Sequence, residues 1–259
     1  MPEEDIPPRA LMQAAERGLA IIRAFGQRRQ VLSQAQVAEL TGLSRATTRR
    51  FLLTMETLGY VGRDGRNYFL RPKVLDLGYA YLSSMSLWDV AKEQMEFVVR
   101  QVRESSSASV LDGTDIIITA RVQTQRIMTV LVEIGTRLPA HATSMGRVLL
   151  ADLPPAALDD YFGTVVPAPL TRRSITSEQE LRVILKTVAS QGWCLQDEEL
   201  EEGVRSLAVP LHDKQGAVIA AMNVCAHASR VSAERMQEEF LPPLLRAAAM
   251  VDQHTLSKA

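Results

Sequence analysis

Two groups of residues in this 259-residue sequence have types and spacings suited to chemistry. The first is Ser44-Arg45-Ala46-Thr47-Thr48-Arg49-Arg50, which packs three arginines among short side chains. On a helix capped by Ser44, residues Thr48, Phe51, Leu52, Met55 and Leu58 share one face. Ala46, Arg49 and Arg50, flanked by Arg45 and Thr47, then fall on the other. An arginine fork matches guanine O6 and N7 or clamps phosphate oxygens, and a small Ala46 lets the backbone approach base edges. That is chemistry for double-stranded DNA. The second group is polar and lies later in the chain. Ser144, Met145 and Gly146 sit at a predicted helix start, where free N–H groups and the helix dipole favour a carboxylate. Ser206 opens a predicted strand. Asn223 and Cys225 are period-two neighbours in an apolar strand, where a buried Asn must find hydrogen-bond partners. That is chemistry for holding a small anion.

Chemistry that makes or breaks bonds has less support. His141, Ser144 and Asp197 could form a nucleophile set, but no Gly-x-Ser-x-Gly elbow is present. Cys225 and His227 could face one metal ion, yet there is no second ligand pair, no Cys-x-x-Cys and no His-Glu-x-x-His. No Gly-x-Gly-x-x-Gly or Walker sequence occurs. No catalytic residue, metal or cofactor is expected. The competing readings are a small-molecule enzyme with a fused nucleic-acid-binding unit and a non-catalytic adaptor. Asp197, Glu198, Glu199, Glu201 and Glu202 crowd five carboxylates into six residues. They would repel an anionic ligand, so the glutamates are expected on a solvated rim, with the place of Asp197 left open.

The elements that must position these residues follow from periodicity. Leu11, Ala15, Leu19, Ile22 and Phe25 recur at helical spacing. Ser33 precedes a short helix, with Gln36 completing a capping box, and Gly42 suits the left-handed turn after it. The arginine helix runs from Arg45 to Leu58. Residues 60–63 and 67–70 predict strands around Asp64-Gly65-Arg66, a hairpin-turn sequence whose tip brings Arg63 and Arg66 to the DNA backbone or minor groove. In that order these elements predict a winged helix-turn-helix over residues 9–71. Residues 72–86 predict a linker helix with more apolar surface than one neighbour needs, which suggests a partner chain. Over 87–259, helices are expected at 88–104, 144–152, 155–162, 177–191 and 232–254. Strands are expected at 109–112, 115–122, 127–134, 193–196, 206–212 and 217–226. Hairpin-sized loops make the sheet largely antiparallel with helices on it, an α+β fold.

Charge supports the division. Residues 9–73 carry 12 bases, 11 of them arginine, against 4 acids, whereas 86–259 is net −5 in a chain of net −1. A polyanion partner is therefore expected for the first part alone. The composition, 46% hydrophobic and 23% charged, excludes disordered and fibrous classes. No apolar run approaches the ~20 residues of a membrane span. An acidic, proline-containing N-terminus and two cysteines fit the cytoplasm.

The run from Val37 to Leu52 (VAELTGLSRATTRRFL), followed by Leu58-Gly59-Tyr60-Val61, resembles the DNA-binding domain of the IclR family of bacterial transcriptional regulators. His141 to Ala151 (HATSMGRVLLA) and Glu199 to Pro210 (ELEEGVRSLAVP) are similar to the two signatures of that family's effector domain. With residues 223–230 they most resemble the branch governing aromatic-acid catabolism through β-ketoadipate. The resemblance implies a GAF-like α/β effector-binding and oligomerisation domain over 87–259. It also implies operator DNA as partner and homodimers that associate further to tetramers. The implied effector is a small aromatic or ring-cleavage carboxylate. Effector contacts would fall on Ser144, Met145, Gln196, Ser206, Asn223 and Cys225, with His141 where aromatic-pathway members usually carry Tyr. Met145 stands where glyoxylate-sensing members have a small residue, which implies a larger, flatter and more apolar ligand. The carboxylate is expected at the Ser144–Gly146 helix start, with Ser206 and Asn223 bonding the remaining oxygens.

Overall fold

Two helices of the N-terminal part begin at a serine that caps them. Ser33 ends β1 (Val31–Ser33) and caps α2 (Gln34–Thr41): its Oγ accepts from Gln36 N while Gln36 Oε1 accepts from Ser33 N at 2.9 Å. Gly42 follows at φ 67°, the left-handed conformation that lets the chain turn tightly. Ser44 Oγ then accepts from Thr47 N at 3.2 Å and starts α3 (Arg45–Leu58). With α1 (Gln13–Ala24), these helices close over Ile21, Leu32, Val37, Leu52 and Met55. The hairpin of β2 (Val61–Asp64) and β3 (Asn67–Leu70) turns at Gly65 and adds Val61 and Tyr68 to that core. The sheet order is β1-β3-β2.

The chain divides into two compact units, Met1–Ser84 and Met85–Ala259. The computed structural model describes residues 12–26, 31–78, 87–124 and 132–257. In the first unit, β1 is an addition to the sequence expectation. Three residues are too few to show alternation, and β1 exists only through pairing with the distant β3. Leu58, expected on the buried face of α3, is half exposed because the helix ends there. Of the predicted linker helix, Pro72–Val74 is a 3₁₀ turn and residues 75–78 are helical, with Leu75 and Leu77 exposed. Its remainder, 79–86, lies outside the described residues.

The second unit opens with α4 (Leu87–Val102), β4 (Ser105–Asp112), β5 (Asp115–Val122) and β6 (Arg137–Pro139). Then follow α5 (Ser144–Ala151), α6 (Pro155–Thr164) and α7 (Glu178–Gln191). Strands β7 (Cys194–Asp197), β8 (Val204–His212) and β9 (Val218–His227) complete a six-stranded sheet, ordered β6-β5-β4-β9-β8-β7. Every neighbouring pair is antiparallel. Helix α8 (Ala233–Arg235), a π turn over Met236–Phe240 and α9 (Leu241–Ser257) end the unit. Helices α5 and α7 pack together, Leu181 and Leu185 of α7 sharing one core with Ile116 and Ile118 of β5, while α4 packs on α9 and both meet the sheet. Six consecutive buried residues open β8, as expected of a strand covered on both faces.

Three expectations are corrected here. The strand expected at 127–134 is absent over 132–134, residues 125–131 lie outside the described residues, and the strand beside β5 is Arg137–Pro139. Strand β4 begins at Ser105, four residues early, because serine has little strand propensity and cross-strand pairing alone places it. The last helix is broken by the π turn just before Pro242 and Pro243. Neither proline has an N–H to donate to the preceding turn, which widens instead.

Candidate DNA-binding face and effector pocket

On α3, Thr48, Leu52 and Met55 point into the core, and this fixes the opposite face outward. Ser44, Arg45, Ala46, Arg49 and Arg50 are exposed and Thr47 is half-buried. The guanidinium groups of Arg45, Arg49, Arg50 and Arg66 have no hydrogen-bond or ion-pair partner among the described residues. Such cations lose least by moving onto phosphate or a base edge. Arg63 differs: its Nε donates to Gly65 O at 2.9 Å and its guanidinium lies 6.0 Å from the Tyr68 ring, so it is tied to the hairpin tip.

The second unit builds its pocket from cross-strand register. Gln196 pairs with Ser206, Ser206 with Cys225, and Cys225 with Ser105, a polar row across four strands. One step along, Asn223 pairs with Ser107 and Ser107 with Arg121. Alternate residues share a face, so both rows line one floor. Met145 from α5, with Ile118, Leu138, Leu200 and Val204, gives the cavity its apolar wall. The cavity together with its solvent-open mouth spans about 570 Å³. Asn223 Oδ1 accepts from Ser107 N at 3.0 Å and its Nδ2 donates to Cys225 Sγ at 3.1 Å. The Gln196 side-chain oxygen, in the amide orientation that satisfies it, accepts from Glu199 N and Leu200 N at 2.6 and 2.7 Å. Burial pushes the Cys225 thiol above its ordinary pKa, so it faces the cavity protonated.

Five of the nine sequence-predicted effector residues line this cavity: Met145, Gln196, Ser206, Asn223 and Cys225. His141, Ser144, Gly146 and Asp197 do not. Ser144 is fully buried, its hydroxyl shared with that of Ser206. Gly146 N is capped by Thr143 Oγ1 at 3.0 Å, and a Cβ on Gly146 would lie 2.1 Å from Ala140 O. The helix start is therefore packed on protein rather than open to a carboxylate. Gly146→Ala is accordingly expected to lose about 3 kcal/mol of stability, the upper range for overpacking against backbone. A urea titration matching the unaltered protein would overturn that reading. His141 is buried beside Tyr161, whose hydroxyl accepts from His141 N at 3.1 Å. Burial lowers the histidine pKa and pushes that of Tyr161 up to about 12.

Asp197 accepts from Arg205 Nε at 2.7 Å and pairs with Arg173 at 2.5 Å. Glu199 departs from its expected rim position: it is buried in a two-pronged pair with Arg147. The imagined His141–Ser144–Asp197 set is thus engaged with three separate partners. Among the described residues no three His, Cys, Asp or Glu side chains could hold a metal ion. No helix of the described residues is long and apolar enough to cross a membrane.

Sequence reasoning missed Ser105, Ser107 and Arg121, all of which line the cavity. The available signal was a cationic residue closing the apolar run Ile116-Ile117-Ile118.

Residues 14–65 match the IclR helix-turn-helix domain, and residues 79–253 match the domain described as Bacterial transcriptional regulator IclR C-terminal. The chain is 43% identical over 237 residues to a Pca regulon regulatory protein of Pseudomonas putida, covering 91% of this chain and 81% of that protein. It is similar, at 46% identity and TM-score 0.87, to a transcriptional regulator from Rhodococcus sp. RHA1, covering 96% of this chain and 100% of that one. It is also similar to a double mutant of the PobR inducer-binding domain from Acinetobacter, solved with 3-hydroxybenzoic acid. There the identity is 32% and the TM-score 0.62, over 65% of this chain and 98% of that one. With an arginine-faced winged unit followed by a sheet-lined pocket, and both family domains matched in order, the chain belongs to the IclR family of bacterial transcriptional regulators.

Proposed function

We propose that this regulator binds the operator of an aromatic-acid degradation operon in the cytoplasm, and that a small carboxylate seated in the second unit controls it. The observation that carries the ligand class is the cavity itself, lined by polar residues of the sheet together with the apolar Met145, Ile118 and Leu138. Such a cavity suits a flat molecule with an apolar body and polar ends. The names of the Pca regulon relative and the PobR complex support the same pathway class. One winged unit reads one half-site, so a dimer is the minimum operator-binding species, and tetramers follow from the family resemblance.

The test is thermal unfolding of the full chain with hydroxybenzoates, protocatechuate, muconate and β-ketoadipate, paired with operator binding measured by fluorescence anisotropy. An effector present at a hundred times its Kd should stabilise the protein by about 2.7 kcal/mol. It should also shift operator affinity. If no acid of this set raises the melting temperature at millimolar concentration, the aromatic-acid reading fails while the DNA-binding one stands.

A further inference from the structure

Arg121 is the one charged side chain among the described residues lining the cavity. Its Nε is buried without a partner, and the group makes no hydrogen bond or ion pair among the described residues. An unpartnered guanidinium lining a cavity is unusual, because a desolvated cation is costly until an anion meets it. Desolvation lowers its pKa, and the field of Glu133 acts in the opposite direction. Its aim is fixed by the backbone. Ser109 pairs with Ile118 and Ala108 with Ala120, so the extra residue Thr119 forms a bulge. That bulge shifts the alternation of β5, and Arg121, opposite Ser107, returns to the same face as Ile118.

We propose that Arg121 anchors the effector's carboxylate and that the effector carries one such group, making it an aromatic monocarboxylate rather than a ring-cleavage dicarboxylate. This rests on reading the cavity as the effector pocket. A guanidinium fork takes one carboxylate through paired N–H donors. No second cation lines the cavity among the described residues. At the far end of the polar row stands Gln196, its oxygen held by backbone N–H groups, so its NH₂ is what it offers a ligand. The arginines that follow Gln196 in the fold are already taken, Arg173 and Arg205 by Asp197 and Arg147 by Glu199, so no free cation is left there for a second carboxylate. A ring hydroxyl suits that end.

Calorimetry on the full chain tests this with 3-hydroxybenzoate, its neutral isostere 3-hydroxybenzamide, and β-ketoadipate. The unaltered protein should bind the acid at least tenfold tighter than the amide, with the dicarboxylate weakest. Arg121→Met should bring acid affinity down to that of the amide and leave amide affinity unchanged, whereas Arg121→Lys should keep part of the preference. The ligand-free melting temperature of Arg121→Met should be no lower than that of the unaltered protein, which a structural arginine would not permit. Equal acid and amide affinity in the unaltered protein overturns the anchor without reference to any variant's folding. Tighter binding of the dicarboxylate overturns the single-carboxylate assignment. Unchanged acid binding by Arg121→Met removes Arg121 from the site yet leaves the pocket as the effector site. If none of the three compounds binds, the pocket reading falls and the anchor with it.

Discussion

Glu199→Ala is expected to destabilise the second unit by about 3–5 kcal/mol, the range for removing one partner of a buried ion pair. Arg147 is only 2% exposed, and its Nη1 donates to Glu199 Oε1 at 2.9 Å while Nη2 donates to Oε2. Its Nε donates to His141 O at 2.7 Å, so every face of the guanidinium is committed within the protein. Without Glu199 that cation stays buried beside the Cys194 thiol, which burial itself pushes up to about 12 and which therefore cannot serve as a counter-ion. A paired buried charge is near neutral against an apolar pair of similar volume. Arg147→Met combined with Glu199→Leu should accordingly recover most of the loss. Urea unfolding of the three proteins reads the difference, and a Glu199→Ala protein as stable as the parent would show that the pair carries no weight. The same loop holds Leu200 over the cavity and is latched by Thr171 Oγ1 on Glu198 O at 2.7 Å and Ser174 Oγ on Glu199 O at 2.8 Å. Effector affinity should therefore fall together with stability.

Arg49→Ala and Arg50→Ala are each expected to weaken operator binding, by about 1–3 kcal/mol where the arginine forks onto a guanine. That corresponds to roughly five- to 150-fold in Kd. Both side chains are exposed and unpartnered among the described residues, so their removal should leave the fold of the first unit intact. At least one of the two should relax base preference as well as affinity. Arg66→Ala on the wing differs in kind: it should weaken specific and non-specific DNA alike and flatten the salt dependence by about one unit of slope. Fluorescence anisotropy across a salt series with operator and scrambled duplexes separates the two behaviours. Operator binding by both helix variants at the parental level would place the recognition face elsewhere on α3.

What the sequence determined by itself is what depends on near neighbours. Caps at Ser33 and Ser44, the glycine turn at Gly42, the arginine face of α3 and the Asp64-Gly65 hairpin are all written within a few residues of where they act. Local hydrogen bonding and side-chain period fix them before any long-range contact forms. Strands β7, β8 and β9 were legible for the same reason, and with them Ser206 and the period-two pair Asn223 and Cys225, whereas Gln196 as a cavity residue was implied by the family resemblance. Tertiary structure decided the rest, where the deciding partner is far away in the chain. Ser105–Ser107 become a strand because β9 pairs with them more than a hundred residues later. Glu199 looked like one acid among five until folding brought Arg147 to it, 52 residues distant. The carboxylate expected at the Ser144–Gly146 helix start is displaced by Ala140, which packs on Gly146 through backbone contact that no periodicity reports. Arg121 faces the cavity only because one extra residue at Thr119 inverts the strand's alternation, and a bulge is defined by the partner strand rather than by the sequence that contains it.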